Sequence, residues 1–74
     1  MQVEVRLFAG FRKGRPPRQK MDGPDGAVLR DVIAGLGIPV EQVTLRLVNG
    51  RHCDLDKPLH PDDVLSLFPA LAGG

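Results

Sequence analysis

Three groups of residues in this chain are of types that could do chemistry. The run Pro69-Ala70-Leu71-Ala72-Gly73-Gly74 offers a backbone carboxylate behind small, uncharged residues. His52, Cys53, Asp54, Asp56 and His60 offer metal-ligating atoms, and Arg12, Lys13, Arg15, Arg18 and Lys20 offer a positive stretch. Glycine has no Cβ, so Gly73 and Gly74 can pass along a narrow channel and bring a terminal carboxylate up to a bound nucleotide. With an ordinary pKa of about 3.5, that carboxylate is an anion at neutral pH and a competent nucleophile towards the α-phosphate of ATP. Adenylation would turn it into a mixed anhydride, from which a partner's persulfide sulfur could displace AMP. Gly74 is therefore the expected reactive position, with Ala70, Leu71, Ala72 and Gly73 the stretch that a partner grips.

The other two groups read as less. The histidine, cysteine and aspartate spacing matches no zinc pattern, and two of the five flank a turn, so no metal site is expected. Cys53 has no positive partner fixed beside it in sequence and is expected to be a small buried apolar residue. Asp62-Asp63 reads as turn chemistry, since neighbouring residues at the start of a strand point in different directions and no pocket encloses them. The basic stretch could serve RNA, but its one aromatic is Phe11 and the chain has no Trp or Tyr. A solvated loop, or one meeting an acidic partner, is the better reading, and no nucleic acid is expected.

Composition bounds the rest. A chain of 74 residues buries only about 60 % of its unfolded surface, which leaves no room for an enclosed catalytic cleft. A net charge of +1 argues against a dedicated nucleic-acid or anionic-membrane binder. One cysteine allows no internal disulfide, no apolar run is long enough to cross a bilayer, and Met1-Gln-Val-Glu-Val-Arg is unlike a secretory signal. A cytoplasmic, non-enzymatic protein, monomeric when free, is expected.

These groups must be carried by a small set of elements. Val3, Val5 and Leu7 alternate with Gln2, Glu4, Arg6 and Phe8 as in a strand with one buried face. After a Gly/Pro turn region, residues 18–22 can return as an edge strand. Val28, Leu29, Val32, Ile33 and Leu36 follow helical spacing, with Asp25 or Gly26 as candidate caps and Gly35, Gly37 and Pro39 ending the helix. Val43, Leu45 and Leu47 alternate with Thr44, Arg46 and Val48 in a third strand, Asn49-Gly50 supplies a tight hairpin turn, and a short strand over residues 51–55 follows. Residues 64–68 form the last strand, stopped by Pro69. This order predicts a single α+β domain over residues 1–74: a β-grasp, ubiquitin-like fold with a mixed four- to five-stranded sheet, one main helix across one face and a flexible tail over about 70–74.

Four segments in order resemble the ThiS/MoaD family of sulfur carriers, closest to the molybdopterin-synthase small subunit. Leu7-Phe8-Ala9-Gly10-Phe11-Arg12 is similar to its Leu-Phe-Ala-x-x-Arg opening, Val48-Asn49-Gly50 to its hairpin, Leu59-His60-Pro61-Asp62-Asp63-Val64 to its Leu-x-x-Gly-Asp-x-Val, and Phe68-Pro69-Ala70-Leu71-Ala72-Gly73-Gly74 to its Phe-Pro-Pro-x-x-Gly-Gly ending. Ala70 replaces a second proline and Pro61 a glycine. The resemblance implies a carrier whose Gly74 is adenylated by a ubiquitin-activating-type enzyme that uses ATP, with no cofactor bound by the carrier itself. The resulting thiocarboxylate would donate sulfur to a synthase large subunit, with molybdopterin synthesis favoured. The alternatives are a thiamine-thiazole carrier and a protein modifier conjugated through Gly74.

Strand parity also places a partner surface. If Val3, Val5 and Leu7 face the core, Phe8 faces away; Leu65 and Leu67 inward leave Phe68 outward, and the same parity sends Val48 out. Phe8, Val48 and Phe68, with His52 nearby, are the expected partner-facing patch, because aromatic area left in water marks an interface. The resemblance implies docking through this same sheet face.

Overall fold

The structure, a computed structural model, describes residues 1–70. The period-two segments form β1 (Gln2–Leu7), β2 (Arg18–Asp22), β3 (Val43–Val48), β4 (Arg51–His52) and β5 (Val64–Pro69), and the helical segment forms α1 (Leu29–Gly35). They make one five-stranded sheet in the order β2-β1-β5-β3-β4. β1 and β5 run parallel at its centre and the other pairs are antiparallel, so the sheet is mixed. This is the expected β-grasp arrangement.

Alternation sorts the sheet's two faces. Val3, Val5, Leu7, Leu65 and Leu67 are buried with Leu29 and Ile33 of α1, which packs over this inner face. Burying such side chains stabilises the fold by about 1.5–3 kcal/mol each, the main term holding a sheet this small. Phe11, in a 3₁₀ turn at Ala9–Arg12, joins the same core.

The helix starts later than either candidate cap. Val28 has extended backbone and its N–H is accepted by the Asp31 carboxylate at 3.0 Å, so neither Asp25 nor Gly26 caps it. The next two N–H groups, of Leu29 and Arg30, donate to the carbonyls of Lys57 and Leu55. A helix leaves its first N–H groups unpaired, and here residues 55–57 supply the acceptors. That service explains why β4 stops at His52 and does not run to Leu55. At the other end Gly37, at φ +75°, closes the helix through Gly37 N–H to the carbonyl of Ala34, in a conformation that favours glycine.

Asn49 (φ +53°) and Gly50 (φ +81°) turn β3 into β4 with both central residues left-handed, as a two-residue hairpin requires. Pro69 is the last residue of β5, one beyond the expected stop, and pairs with Val43 at the sheet's end.

Candidate partner face and tail exit

The outer face of the sheet is a grid set by strand register. Arg18, Arg6, Ser66, Leu47 and His52 lie opposite one another across all five strands. The next row towards the tail holds Phe8, Phe68 and Leu45. The Phe8 and Phe68 rings stack with centroids 4.3 Å apart and planes 9° from parallel, and the Arg12 guanidinium lies 5.3 Å over the Phe8 centroid. Phe8 N–H donates to the Leu67 carbonyl, which holds the end of β1 against β5 where the chain leaves the sheet. Cation–π contact of this kind contributes about 0.5–1 kcal/mol at exposed sites. Arg12 Nε also donates to the Leu7 carbonyl at 2.7 Å, so the guanidinium is held at this corner.

Three of the four residues expected on the patch share this face: Phe8 and Phe68, which are half-buried, and His52, which is exposed. Val48 does not. It is 5 % exposed and belongs to the core, opposite Leu65. The cause is an irregularity in the β3–β5 ladder: Val43 pairs with Pro69 but Leu45 pairs with Phe68, which leaves Thr44 unmatched. One extra residue reverses the alternation beyond it. Leu45 and Leu47 are thereby sent outward, and Val48 inward, against their sequence parity. Leu45, at 38 %, is the most exposed large apolar side chain among the described residues. Arg46 takes an inner position opposite Leu67, where its Nε is buried with no hydrogen-bond partner.

Leu45, Leu47 and Arg12 are thus members of this face that sequence reasoning missed. The two leucines looked like core residues of a regular strand, and no local signal marks the irregularity. Arg12 stood in the basic stretch and in the Leu-Phe-Ala-x-x-Arg segment, but its place over Phe8 needs the 3₁₀ turn.

The β1–β2 flank of the face is charged. Glu4 accepts from Arg6 Nε and lies 3.7 Å from Arg18 Nε. The Arg6 hydrogen bond, with the charges of Arg6, Arg18 and Lys20, holds the Glu4 carboxyl below its usual range against the burial that pushes it up.

The remaining candidates are structural. Asp63 is buried and accepts from the His60 N–H and the Asn49 side-chain amide, each at 2.9 Å, which is turn chemistry as expected. Cys53 is half-buried against the core, just past β4. Among the described residues no three His, Cys, Asp or Glu side chains are grouped to hold a metal ion, and no helix is long and apolar enough to cross a membrane. Ala70 follows β5 and is exposed, while Leu71, Ala72, Gly73 and Gly74 lie outside the described residues.

Residues 5–74 match the sequence model of the ThiS family. The chain belongs to the ThiS family. Solved structures agree with this. A chain of the complex of subunits 1 and 2 of molybdopterin-converting factor from Helicobacter pylori 26695 is 29 % identical with a TM-score of 0.68, and all of each chain is covered. A protein from Pyrococcus furiosus assigned as molybdopterin converting factor, subunit 1, is 26 % identical with a TM-score of 0.77, covering 96 % of this chain and 99 % of that one. SAMP1 from Haloferax volcanii is similar over 100 % of both chains with a TM-score of 0.81, but at 23 % identity it speaks to the fold alone. No curated protein matches the chain. The ThiS-family chain is therefore a small ubiquitin-fold protein of a sulfur-carrier family, similar to subunit 1 of molybdopterin-converting factor.

Proposed function

We propose that this ThiS-family protein is a sulfur carrier whose Gly74 carboxylate is the reacting group. A ubiquitin-activating-type enzyme adenylates Gly74 with ATP, releasing pyrophosphate. A persulfide sulfur then attacks the acyl carbon and AMP leaves, after which a partner thiol breaks the S–S bond and frees the thiocarboxylate. The carrier contributes no catalytic side chain: it presents the tail, and the enzymes on either side supply the chemistry in the cytoplasm.

The observation that carries this reading is the family match, which runs through Gly73 and Gly74, taken with a β5 that ends at Pro69 beside the Phe8–Phe68–Leu45 row. Apolar and aromatic area left uncovered at one place is what a docking partner buries. The Helicobacter pylori complex of subunits 1 and 2 supports a synthase large subunit as the acceptor, and favours molybdopterin synthesis as the pathway.

The test is the intact mass of the protein isolated from its own cells, with and without Gly74. Replacement of one oxygen by sulfur, lost in the Gly74 deletion, supports the carrier. Ladders of higher-mass conjugates that disappear in the deletion would point to a modifier instead. A folded deletion variant as competent in sulfur transfer as the full chain would end the proposal.

A further inference from the structure

The basic stretch after β1 has so far no role, and the structure divides it. Phe11 is turned into the core at 4 % exposure, so it offers no ring to a nucleic-acid base. Arg12, over the Phe8 ring, and Arg18 are brought to the outer face with Arg6 of β1. Arg6 and Arg18 are Cα partners across the β1–β2 ladder, and Arg6, Phe8, Arg12, Pro17 and Arg18 line one open hollow.

The charges in this hollow do not balance. Glu4 serves both Arg6 and Arg18, and Arg12 has no carboxylate within ion-pair distance among the described residues. Of these three guanidinium groups, two therefore share one carboxylate and the third has none among the described residues. Arg18 is largely exposed and Arg6 partly so, while Arg12 is tethered through Nε to the Leu7 carbonyl, which leaves its terminal nitrogens to donate elsewhere. Across the Phe8–Phe68 stack, the β3 side of the face carries Leu45 and Leu47 with no charge. The face is thus asymmetric, with an apolar centre and one positive flank.

Resting on the docking reading above, we propose that this flank receives acidic side chains of the protein that covers the outer face. Carboxylates of that protein bind Arg6, Arg12 and Arg18 while its apolar surface covers Phe8, Phe68 and Leu45. The planar guanidinium fork matches a carboxylate with two parallel hydrogen bonds, and opposite charge at the rim of an interface speeds encounter and fixes orientation. RNA fits less well. The two outer aromatics are already stacked on each other, and a base would have to separate them to find a stacking surface.

The test has two parts, both on the full chain. In the first, NMR titrations with hexaglutamate and with a six-nucleotide oligouridylate are run at about 50 mM and about 500 mM salt. Hexaglutamate is expected to shift the amides of Arg6, Phe8 and Arg18 at low salt, and to lose that effect at high salt and in the Arg6→Gln/Arg18→Gln variant. In the second, the association rate of that variant with the synthase large subunit from the same organism is expected to fall about tenfold at low salt, with a folded spectrum retained. Absence of hexaglutamate shifts, tighter binding of oligouridylate than hexaglutamate, or an unchanged association rate would each overturn the proposal. Sulfur loading at Gly74 is read separately by intact mass, so failure of the carrier reading and failure of this one register in different measurements.

Discussion

Leu45 lies opposite Phe68 on the outer face of the sheet, one residue out of step with the Val43–Pro69 pair before it. Thr44, the residue left over, donates its hydroxyl to the Phe68 carbonyl at 3.2 Å, which holds the irregular segment against β5. The arrangement exchanges the roles of two apolar residues in β3, and that exchange is testable. Leu45→Ser removes exposed apolar area and should change stability by no more than about 0.5 kcal/mol, yet weaken partner binding by about tenfold or more. Val48→Ser should destabilise by about 2–3 kcal/mol through a polar group and a void in the core. At this size each kcal/mol moves the thermal midpoint by about 4–8 °C. Thermal melts beside partner titrations check both; equal stability loss in the two variants would contradict the register described.

Asn49 ties the hairpin to the start of β5 from a strained-looking position that asparagine tolerates. Its amide donates to Asp63 Oδ1, its carbonyl accepts from Val64 N–H, and its φ is +53°. Alanine there loses both bonds and the residue type best suited to that conformation, so Asn49→Ala should cost about 2–3 kcal/mol. A double-mutant cycle with Asp63→Ala should show about 1–2 kcal/mol of coupling, because each single change leaves the other side chain unpaired. Additive losses in urea melts would mean that the two side chains act independently.

The same aspartate gives the stability a pH dependence of known sign. Burial pushes the Asp63 carboxyl up, but hydrogen bonds from the His60 N–H and the Asn49 amide, aided by nearby His60 and Lys57, bring it below its ordinary value. A carboxyl lowered in the folded state binds protons more weakly there than in the unfolded chain. Its contribution is therefore complete above the unfolded pKa, near 3.9, and is lost as pH falls through the lower folded value. Glu4, held down chiefly by Arg6, acts in the same direction. Melts from pH 6 down to about pH 2 should show stability falling below about pH 4, and Asp63→Asn should flatten part of that fall while lowering stability at neutral pH. An identical acid limb in the variant would remove Asp63 from the account.

How much of this could be seen in the sequence depended on whether the deciding contact was local. The alternation in β1 and β5 reports two faces directly, because both strands keep a regular ladder, so Phe8 and Phe68 could be placed outward. Asn49-Gly50 declared its turn because few residues accept two left-handed conformations in succession. Val48 was misplaced because parity in β3 holds only up to Thr44, and what stands opposite Thr44 is decided by β5, twenty residues on. The helix cap and the early end of β4 share a cause that local reading cannot reach: the carbonyls of Leu55 and Lys57 serve the first N–H groups of α1, across the whole of β3. The basic stretch looked like one feature, but a 3₁₀ turn sends Phe11 inward and Arg12 over Phe8.

Cys53 is the side chain whose behaviour would most directly challenge a mechanism located in the tail. Burial pushes its thiol up, against the opposing charges of Arg46 and Lys57, so less thiolate is present at neutral pH than in a free cysteine. The thiolate is the form that attacks electrophiles and exchanges sulfur. Alkylation by iodoacetamide at pH 7 should therefore be slower than for a free cysteine and should accelerate when the protein is unfolded in urea. Cys53→Ser should load sulfur at Gly74 within about twofold of the unmodified chain, a difference of under 0.5 kcal/mol. Fast alkylation of the folded protein, together with lost loading in the variant, would place sulfur on the side chain and refute the tail as its sole carrier.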